Sequence, residues 1–467
     1  MASGTSTFAD KTLAASPFNQ VLPKGWPKQD FSVAAYRSSK AGMNMMMREW
    51  WRLLQEDGVS VWCISPGYLA TGLGGVGAEK LKTMGTGDPG PAGRFVVSVV
   101  QGFRGSDVGL VITKDGCQAG RTIMPSRPLS KDYPWVSSPV IISAPMSGFS
   151  GPALAHAVYQ AGGIGFLGGL PDIKALRTAL EDVTELVTGS RILQPGATLP
   201  IGLGVLSFAQ KLDEVVALIA EFHPVAVWLF AAHESADFGR WTEAIRKVSD
   251  ETKIWVQIGS VTGAINLAQS CKPDVLVLQG ADAGGHGGEK GAGIISLIPE
   301  TLCALQRLGL DDVSIVAAGG IADGSSVAAA LTLGADGAVM GTRFLAAEET
   351  KVHPAYQAAI LETEDGGQTT VRAKVFDELA GPNIWPKDFD GRALIAQSYW
   401  DHIKGISIEE IRKSHAEAKQ TSHLGFDQEN RRAAIWAGTG VGLVRKTAPA
   451  SEILKEGKYV RNINSTK

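Results

Sequence analysis

The 467-residue sequence lacks the features that would direct it into a membrane or out of the cell. No uninterrupted apolar run reaches the roughly 18 residues that a transmembrane helix needs. The first ten residues, MASGTSTFAD, lack the basic and apolar regions of a secretory signal, and the last four, NSTK, are not a peroxisomal address. These absences predict a soluble protein of the cytoplasm.

Paired cysteines and a charge bias of one sign are also missing. The chain has only four cysteines, and their spacing fits neither a zinc site nor a disulfide framework. It carries 44 Lys and Arg against 47 Asp and Glu, a formal net charge of −3, and has no long run of one sign. Neither a nucleic acid nor an anionic membrane is therefore expected as a partner.

Glycine, by contrast, is abundant, with 56 residues. Average usage is roughly 7% of a chain, and the excess lies in short motifs that follow apolar segments rather than in low-complexity tracts. Glycine lets a backbone approach a ligand closely or take dihedral angles that other residues avoid. The pattern therefore predicts ligand-binding loops.

The chain changes character where proline and serine interrupt it, in the segment TIMPSRPLSKDYPWVSSP (122–139). A chain of this length exceeds one typical domain. We therefore predict a first domain over 1–120, a linker over 121–138 and a second domain over 139–467.

Eight short, continuously apolar segments alternate with helical patterns in the second domain. Continuous rather than alternating apolarity indicates strands buried on both faces, as in a parallel sheet. Eight such strands predict a (β/α)₈ TIM barrel, whereas a doubly wound sheet would show a glycine-rich dinucleotide turn, which is absent. The predicted strands cover 139–146, 163–169, 200–206, 224–230, 253–259, 273–280, 314–320 and 337–344.

Barrel active sites lie at the carboxyl ends of the strands, often with a phosphate site after strands seven and eight. Strand seven ends in AAGGIADG (317–324) and strand eight in VMGTRF (339–344). Small residues there allow backbone N–H groups to approach a phosphate, and the helix after Asp323 would add its positive end. The alternative is that Gly319 and Gly320 only permit tight turns.

Strands one and six end in residues of different chemistry. Ala144, Pro145 and Met146 after strand one offer a small, apolar floor for a flat ligand. Gln279 ends a buried strand and must find polar partners, either in a ring with carbonyl and N–H groups or in neighbouring backbone. His286 follows in a glycine loop, where an imidazole can accept a proton or carry positive charge.

From about Pro134 to the C-terminus the sequence resembles the nitronate monooxygenases. The motifs that carry the resemblance are SAPMSG, GGIGFLGG, QGADAGGHGG, AAGGIADG, GAVMGTRF and WAGTGVGL. The resemblance implies an FMN-dependent barrel enzyme that oxidises alkyl nitronates or nitroalkanes with O₂ to carbonyl compounds and nitrite. The FMN-dependent enoyl-acyl-carrier-protein reductases share the glycine-histidine loop, so an oxidoreductase that uses NAD(P)H is the alternative. Oligomeric state stays open.

Carried over by motif, the resemblance makes His286 the catalytic residue, as a base or as a resident positive charge. Two positions depart from the family pattern: Gly204 stands where asparagine is common, and Asp282 where glutamate is frequent. The flavin-binding residues implied are Ala144, Pro145, Met146, Gln279, Gly284, Gly285, Gly319, Gly320, Met340, Gly341 and Thr342.

The first domain resembles a different family. YRSSK (36–40) is similar to the Tyr-x-x-x-Lys motif of short-chain dehydrogenase/reductases, and VSVWCISPGYLATGL (59–73) is similar to their next strand and Pro-Gly turn. The nucleotide-binding strands that precede this motif in the family have no counterpart. We therefore predict a truncated Rossmann-like fragment that is not catalytic.

Overall fold

The computed structural model describes 34–54, 57–65, 69–70, 78–83, 88–102, 108, 111–113, 116–117, 129–190, 198–310, 312–421, 423–426 and 430–459. The chain divides into two compact units, Met1–Met124 and Pro125–Lys467. Among the helices of these ranges, none combines the length and the hydropathy of a membrane-spanning segment.

The first unit contains three described helices and a small three-stranded sheet. The strand Cys63–Ile64 pairs in parallel with Val111–Thr113, which pairs antiparallel with Gly116–Cys117. The described helices are Ala34–Leu54, Ala78–Thr83 and Pro89–Val100. The Tyr36–Lys40 motif lies in the first of these helices, but the side chain of Tyr36 falls outside the described part of the chain.

The last helix of this unit shows how local sequence sets its start. Asp88 is the N-cap and accepts a hydrogen bond from the backbone N–H of Gly90, while Pro89 occupies the first helical position. Its buried Phe95 and Val99 pack with Ile112 of the sheet.

The second unit is built on eight parallel strands, which confirms the predicted barrel. Strands two to eight pair in chain order, and strand one pairs with strand eight. A parallel bridge between Ile142 and Ile164 joins strand one to the segment leading into strand two, which nearly closes the barrel. The strands are Ile141–Ser143, Phe166–Leu167, Leu199–Leu206, Pro224–Phe230, Lys253–Ile258, Val275–Gln279, Ser314–Ala318 and Gly337–Met340.

Eight helices follow these strands around the barrel. After strand eight the chain makes a long excursion before it returns to the barrel. The last helix of the chain then packs between the first and seventh barrel helices and takes the place of the eighth. The helices are Pro152–Gln160, Ile173–Ser190, Leu212–Phe222, Ser235–Val248, Val261–Ser270, Ile294–Arg307, Gly324–Thr332 and Ala450–Lys458.

The excursion after strand eight contributes two strands to a second, antiparallel sheet, here called the cap sheet, and the segment after strand six contributes the third. The strands of the cap sheet are Gly285–Gly288, Phe389–Leu394 and Thr370–Ala373, and His286 pairs with Gly391. The predicted glycine loop after strand six is thus a short strand of this sheet. The helices of the excursion are Thr342–Ala346, Pro354–Glu362, Gly366–Thr369, Val375–Glu378, Gln397–Ile403, Ile408–Thr421, His423–Gly425 and Thr439–Leu443.

Large aromatic side chains fill the barrel interior. Phe166, Trp228 and Trp255 are buried against one another, with ring centroids 5.1 to 5.7 Å apart. The indole of Trp255 donates a hydrogen bond of 2.7 Å to the hydroxyl of Tyr133. Tyr133 and the short helix Leu129–Asp132 belong to the segment assigned to the linker, yet Leu129 and Tyr133 are buried in the barrel core. Proline and serine in that segment therefore mark an irregular but packed element.

Candidate functional site

A cavity of about 450 Å³ lies at the carboxyl ends of the barrel strands. The structure brings eleven of the twelve predicted site residues to its wall: Ala144, Pro145, Met146, Gln279, Gly284, Gly285, His286, Gly319, Gly320, Gly341 and Thr342. Met340 is placed differently, because its side chain is fully buried and its carbonyl accepts a 2.9 Å hydrogen bond from the backbone N–H of Ala144 within the sheet.

Gln279 and His286 are joined at this wall. The side-chain N–H of Gln279 donates a 3.0 Å hydrogen bond to the carbonyl of His286. The sequence left open whether Gln279 bonds a ligand ring or neighbouring backbone. It makes a bond to neighbouring backbone, and it also lines the cavity. The bond fixes the backbone that carries the histidine.

The imidazole of His286 is held by a carboxylate from a distant part of the chain. Its Nε2 lies 2.5 Å from Oδ1 of Asp377, and the two side chains are only 14% and 4% exposed. Asp377 sits on the short helix Val375–Glu378. Its second oxygen, Oδ2, is buried and has no hydrogen-bond partner in the structure, so the imidazole supplies the one bond that this carboxylate side chain makes within the described residues.

Two tryptophans fix the plane of the same ring. Trp385 stacks on the imidazole with centroids 3.6 Å apart and planes inclined by 9°, and Trp436 lies 4.7 Å away at 50°. The hydroxyl of Tyr356 anchors the backbone of Trp436, since it accepts a 2.7 Å bond from the backbone N–H of Trp436 and donates a bond to its carbonyl. Burial raises the pKa of Tyr356, which keeps this hydroxyl neutral.

Sequence reasoning missed Asp377, Trp385 and Trp436. They lie at least 91 residues from His286 in the chain, and neither Asp377 nor Trp385 belongs to a motif that differs from ordinary core or loop sequence. Two weak signals could have pointed to the tryptophans. Tryptophan is a rare residue, and Trp436 begins WAGTGVGL, one of the motifs that carry the resemblance.

The glycines around the cavity serve two different purposes. A Cβ on Gly284 would lie 2.3 Å from the backbone N of Gly438, and one on Gly319 would lie 2.9 Å from the carbonyl of Gly280. These two glycines are required by protein packing. A Cβ on Gly285 would meet no atom within 4 Å, and one on Gly341 would come no closer than 3.7 Å to any atom, so these two leave room in the cavity.

The expected contribution of the helix after Asp323 to a phosphate site stays a prediction. No residue of the helix Gly324–Thr332 lines the cavity, and the carboxylate of Asp323 caps its start by accepting a 2.8 Å bond from the Ser326 N–H. The carbonyl of Tyr459 also covers this start, lying 2.0 Å from where a Cβ on Gly324 would be. An anion in the cavity would instead meet backbone at Gly319, Gly320, Gly341 and Thr342.

The two departures from the family pattern have structural explanations. A Cβ on Gly204 would lie 2.5 Å from Cβ of Pro145, so glycine lets the cavity floor pack directly on strand three. The carboxylate of Asp282 accepts a 3.0 Å bond from the hydroxyl of Thr439, and the backbone carbonyl of Asp282 accepts a bond of the same length from the Thr439 N–H. This aspartate ties the strand-six segment to the excursion.

The rest of the cavity wall is mainly apolar and aromatic, with Ser147 and Gln257 as further polar side chains. The whole wall contains no lysine or arginine among the described residues, and the described ranges hold no cluster of histidine, cysteine or carboxylate side chains that could bind a metal. Apolar walls, a few placed polar groups and this volume are typical of sites for flat organic ligands. The remaining aromatic wall residues are Phe149, Phe208, Trp228 and Phe230.

Comparison with known families matches both units. A family model described as nitronate monooxygenase matches residues 208–456, and one described as short chain dehydrogenase matches residues 27–81. A nitronate monooxygenase of Metarhizium robertsii is 42% identical over 334 residues, covering 70% of this chain and 92% of that protein.

Two further similarities concern the first unit and the fold. A short-chain dehydrogenase/reductase of Talaromyces stipitatus is 41% identical over 120 residues, which is 24% of this chain and 43% of that protein. The N-terminal match thus spans less than half of a dehydrogenase. The solved structure of FabK from Thermotoga maritima superposes with a TM-score of 0.53 at 24% identity, covering 71% of this chain and 94% of that one, and it shows the same fold.

Proposed function

We propose that this chain, which belongs to the nitronate monooxygenase family, is an FMN-dependent enzyme that oxidises alkyl nitronates and nitroalkanes with O₂ to carbonyl compounds and nitrite. The observation that carries the proposal is His286, held by Asp377 and two tryptophans at the wall of a glycine-lined cavity. A nitronate monooxygenase needs a flat cofactor site and a group that handles the α-proton or the negative charge of its substrate.

The residues present fit a flavin mononucleotide. Ala144, Pro145 and Met146 would back the ring, and Gln279 and Gly284 would face its polar edge. Backbone at strands seven and eight would hold the phosphate, where Gly319 and Gly320 have φ of +106° and +75° and so turn the chain sharply. Bound FMN would supply the electron transfer between the nitronate and O₂.

The protein's own contribution lies in His286 and the aromatic wall. Its imidazole can take the α-proton of a neutral nitroalkane as a general base, which is worth about 10² to 10⁴ in rate. As an imidazolium it can stabilise the nitronate anion through charge. Trp385 covers one face of the ring and keeps water from it.

The first unit is proposed to be a non-catalytic fragment, because its match spans 43% of a dehydrogenase. We expect no carbonyl reduction by NAD(P)H from the full chain. If such reduction occurs and Tyr36→Phe abolishes it, the fragment is an active dehydrogenase.

The test of the main proposal uses the purified full chain. It should carry an FMN absorption spectrum and release nitrite from propionate 3-nitronate or a nitroalkane in air but not under anaerobic conditions. His286→Asn should keep the FMN spectrum and lose most nitroalkane oxidation. A chain that takes up no flavin on reconstitution overturns the proposal. Oxygen-independent oxidation of NAD(P)H by an enoyl thioester would instead establish the enoyl-reductase alternative.

A further inference from the structure

The two ring nitrogens of His286 have different surroundings. Nε2 lies 2.5 Å from Oδ1 of Asp377. Nδ1 makes no hydrogen bond within the described part of the chain, and the residue lines the cavity. In a neutral imidazole one ring nitrogen carries the proton and donates a hydrogen bond, while the other nitrogen accepts one. The hydrogen-bond partners of the ring determine which of the two nitrogens is protonated.

Asp377 is placed to make that decision. An ionised carboxylate can only accept hydrogen bonds, so Nε2 must carry the proton when Asp377 is charged. The carboxyl is 4% exposed and its Oδ2 has no partner. A buried carboxylate with one unsatisfied oxygen depends strongly on its remaining bond, and here that bond is to the imidazole.

The other charged groups near His286 are engaged elsewhere. Three basic side chains of the cap sheet and its flanking segments have their own partners. Arg372 lies 2.6 Å from Asp390, Lys374 lies 3.3 Å from Glu289, and Arg392 donates to the carbonyl of Ala281 and to the hydroxyl of Thr370. Asp377 is therefore the carboxylate that acts on the imidazole.

The imidazole of His286 is held in one orientation by its neighbours. Trp385 lies parallel to it at 3.6 Å and Trp436 packs at 4.7 Å. A 180° flip of the imidazole about its Cβ–Cγ bond would keep the ring stacked on Trp385, but it would move Nε2 away from Oδ1 and leave the Asp377 carboxylate without its bond. The tryptophans and the aspartate together hold one orientation.

We infer that Asp377 is a positioning residue that fixes the Nε2–H tautomer of His286 and thereby makes Nδ1 the atom that removes the α-proton of a nitroalkane. The C–H bond breaks, its electron pair moves into the nitro group to form the nitronate, and Nδ1 takes the proton to give an imidazolium beside the Asp377 carboxylate. This inference rests on the proposed function, because it concerns how that same site accepts neutral substrates.

The first test compares two substrates in the FMN-loaded full chain. A nitroalkane needs the base, whereas a preformed nitronate does not. In Asp377→Ala, the kcat for the nitroalkane relative to the nitronate should fall by roughly 10- to 100-fold, part of the 10² to 10⁴ that a general base supplies, with little change in KM. Asp377→Glu should recover part of the ratio. Glu289→Gln is the matched control, since it removes a nearby carboxylate that is bonded to Lys374, and it should leave the ratio unchanged.

The second test reads the tautomer directly and works on the unsubstituted protein. With ¹⁵N-labelled histidine, His286 is assigned by the signal that disappears in His286→Asn. In the neutral imidazole, Nε2 should be protonated and Nδ1 unprotonated, and the neutral imidazole of Asp377→Ala should show a mixture of tautomers.

A proton on Nδ1 in the unsubstituted protein, or an unchanged nitroalkane-to-nitronate ratio in Asp377→Ala, overturns the inference alone. If the unsubstituted chain oxidises neither substrate, the proposed function fails, and the tautomer measurement still decides how Asp377 acts on His286.

Discussion

Trp385 lies flat on the imidazole of His286, with ring centroids 3.6 Å apart and an angle of 9° between the planes. The same indole contacts Phe208 at 4.7 Å. The tryptophan thus joins the candidate catalytic residue to the aromatic wall of the cavity.

Removing this contact should weaken catalysis more than folding. Aromatic pairs contribute about 0.5 to 1.5 kcal/mol beyond area burial, so Trp385→Ala should lower kcat/KM for a nitroalkane by at least several-fold, because the ring of His286 is no longer held. Trp385→Phe should retain most activity. The control is Trp400→Ala, a 47% exposed tryptophan of the excursion. If both alanine variants behave alike in steady-state assays, the stacking contact has no special role.

Gly341 should be required for cofactor binding rather than for folding. A Cβ there would meet only Cβ of Ala144 at 3.7 Å and Sδ of Met146 at 3.9 Å, both on the cavity wall. Gly341→Ala should therefore keep the thermal stability of the cofactor-free protein but weaken FMN binding at least several-fold in a fluorescence titration. Gly239→Ala, which has open space around its Cβ, is the control. Undiminished FMN affinity in Gly341→Ala would place the flavin elsewhere.

Gly204 should not tolerate the asparagine that is common in the family. Its Cβ would lie 2.5 Å from Cβ of Pro145 and 3.0 Å from the carbonyl of Leu167. Overpacking of this kind costs typically 1 to 3 kcal/mol, so Gly204→Asn should lower the free energy of unfolding by about that amount in urea titration. A variant as stable as the parent would show that the floor of the cavity relaxes freely.

Asp336 should make stability depend on pH. Burial raises the pKa of this carboxyl to about 7, well above its ordinary value, and the bond that its Oδ2 accepts from the Ile315 N–H partly offsets the rise. A raised pKa in the folded state means that the folded protein binds the proton more tightly, so the stabilisation is complete below about pH 4 and is lost as pH rises through about 7. The loss cannot exceed about 1.4 kcal/mol per pH unit, because a single proton is bound or released.

Asp336→Asn should therefore gain stability relative to the parent between pH 5 and pH 8, measured by urea unfolding at each pH. The matched control is Asp274→Asn. Asp274 makes the equivalent bond to the Ile254 N–H, but the guanidinium of Arg246 lies 3.8 Å away, so no such gain is expected. A difference between Asp336→Asn and the parent that does not change with pH would contradict the assigned shift.

Local sequence patterns predicted the barrel and eleven of the residues that line the cavity. Eight continuously apolar segments are a local signal of strands buried on both faces, and the barrel places the residues that follow each strand at one rim. His286, Gln279 and the glycines after strands seven and eight reach the cavity for this reason. Burial of Tyr133 among the barrel aromatics was not visible locally, because an irregular segment has no periodicity to read.

The surroundings of His286 depend on contacts between distant parts of the chain. Asp377, Trp385 and Trp436 meet His286 because the excursion after strand eight folds back and pairs Phe389–Leu394 with Gly285–Gly288. The carbonyl of Tyr459, more than 130 residues further along the chain, likewise packs against the start of the helix Gly324–Thr332. Local sequence sets which strands form and where they end, whereas docking between distant segments sets which side chains touch, since such contacts depend on shape and leave no periodic pattern along the chain.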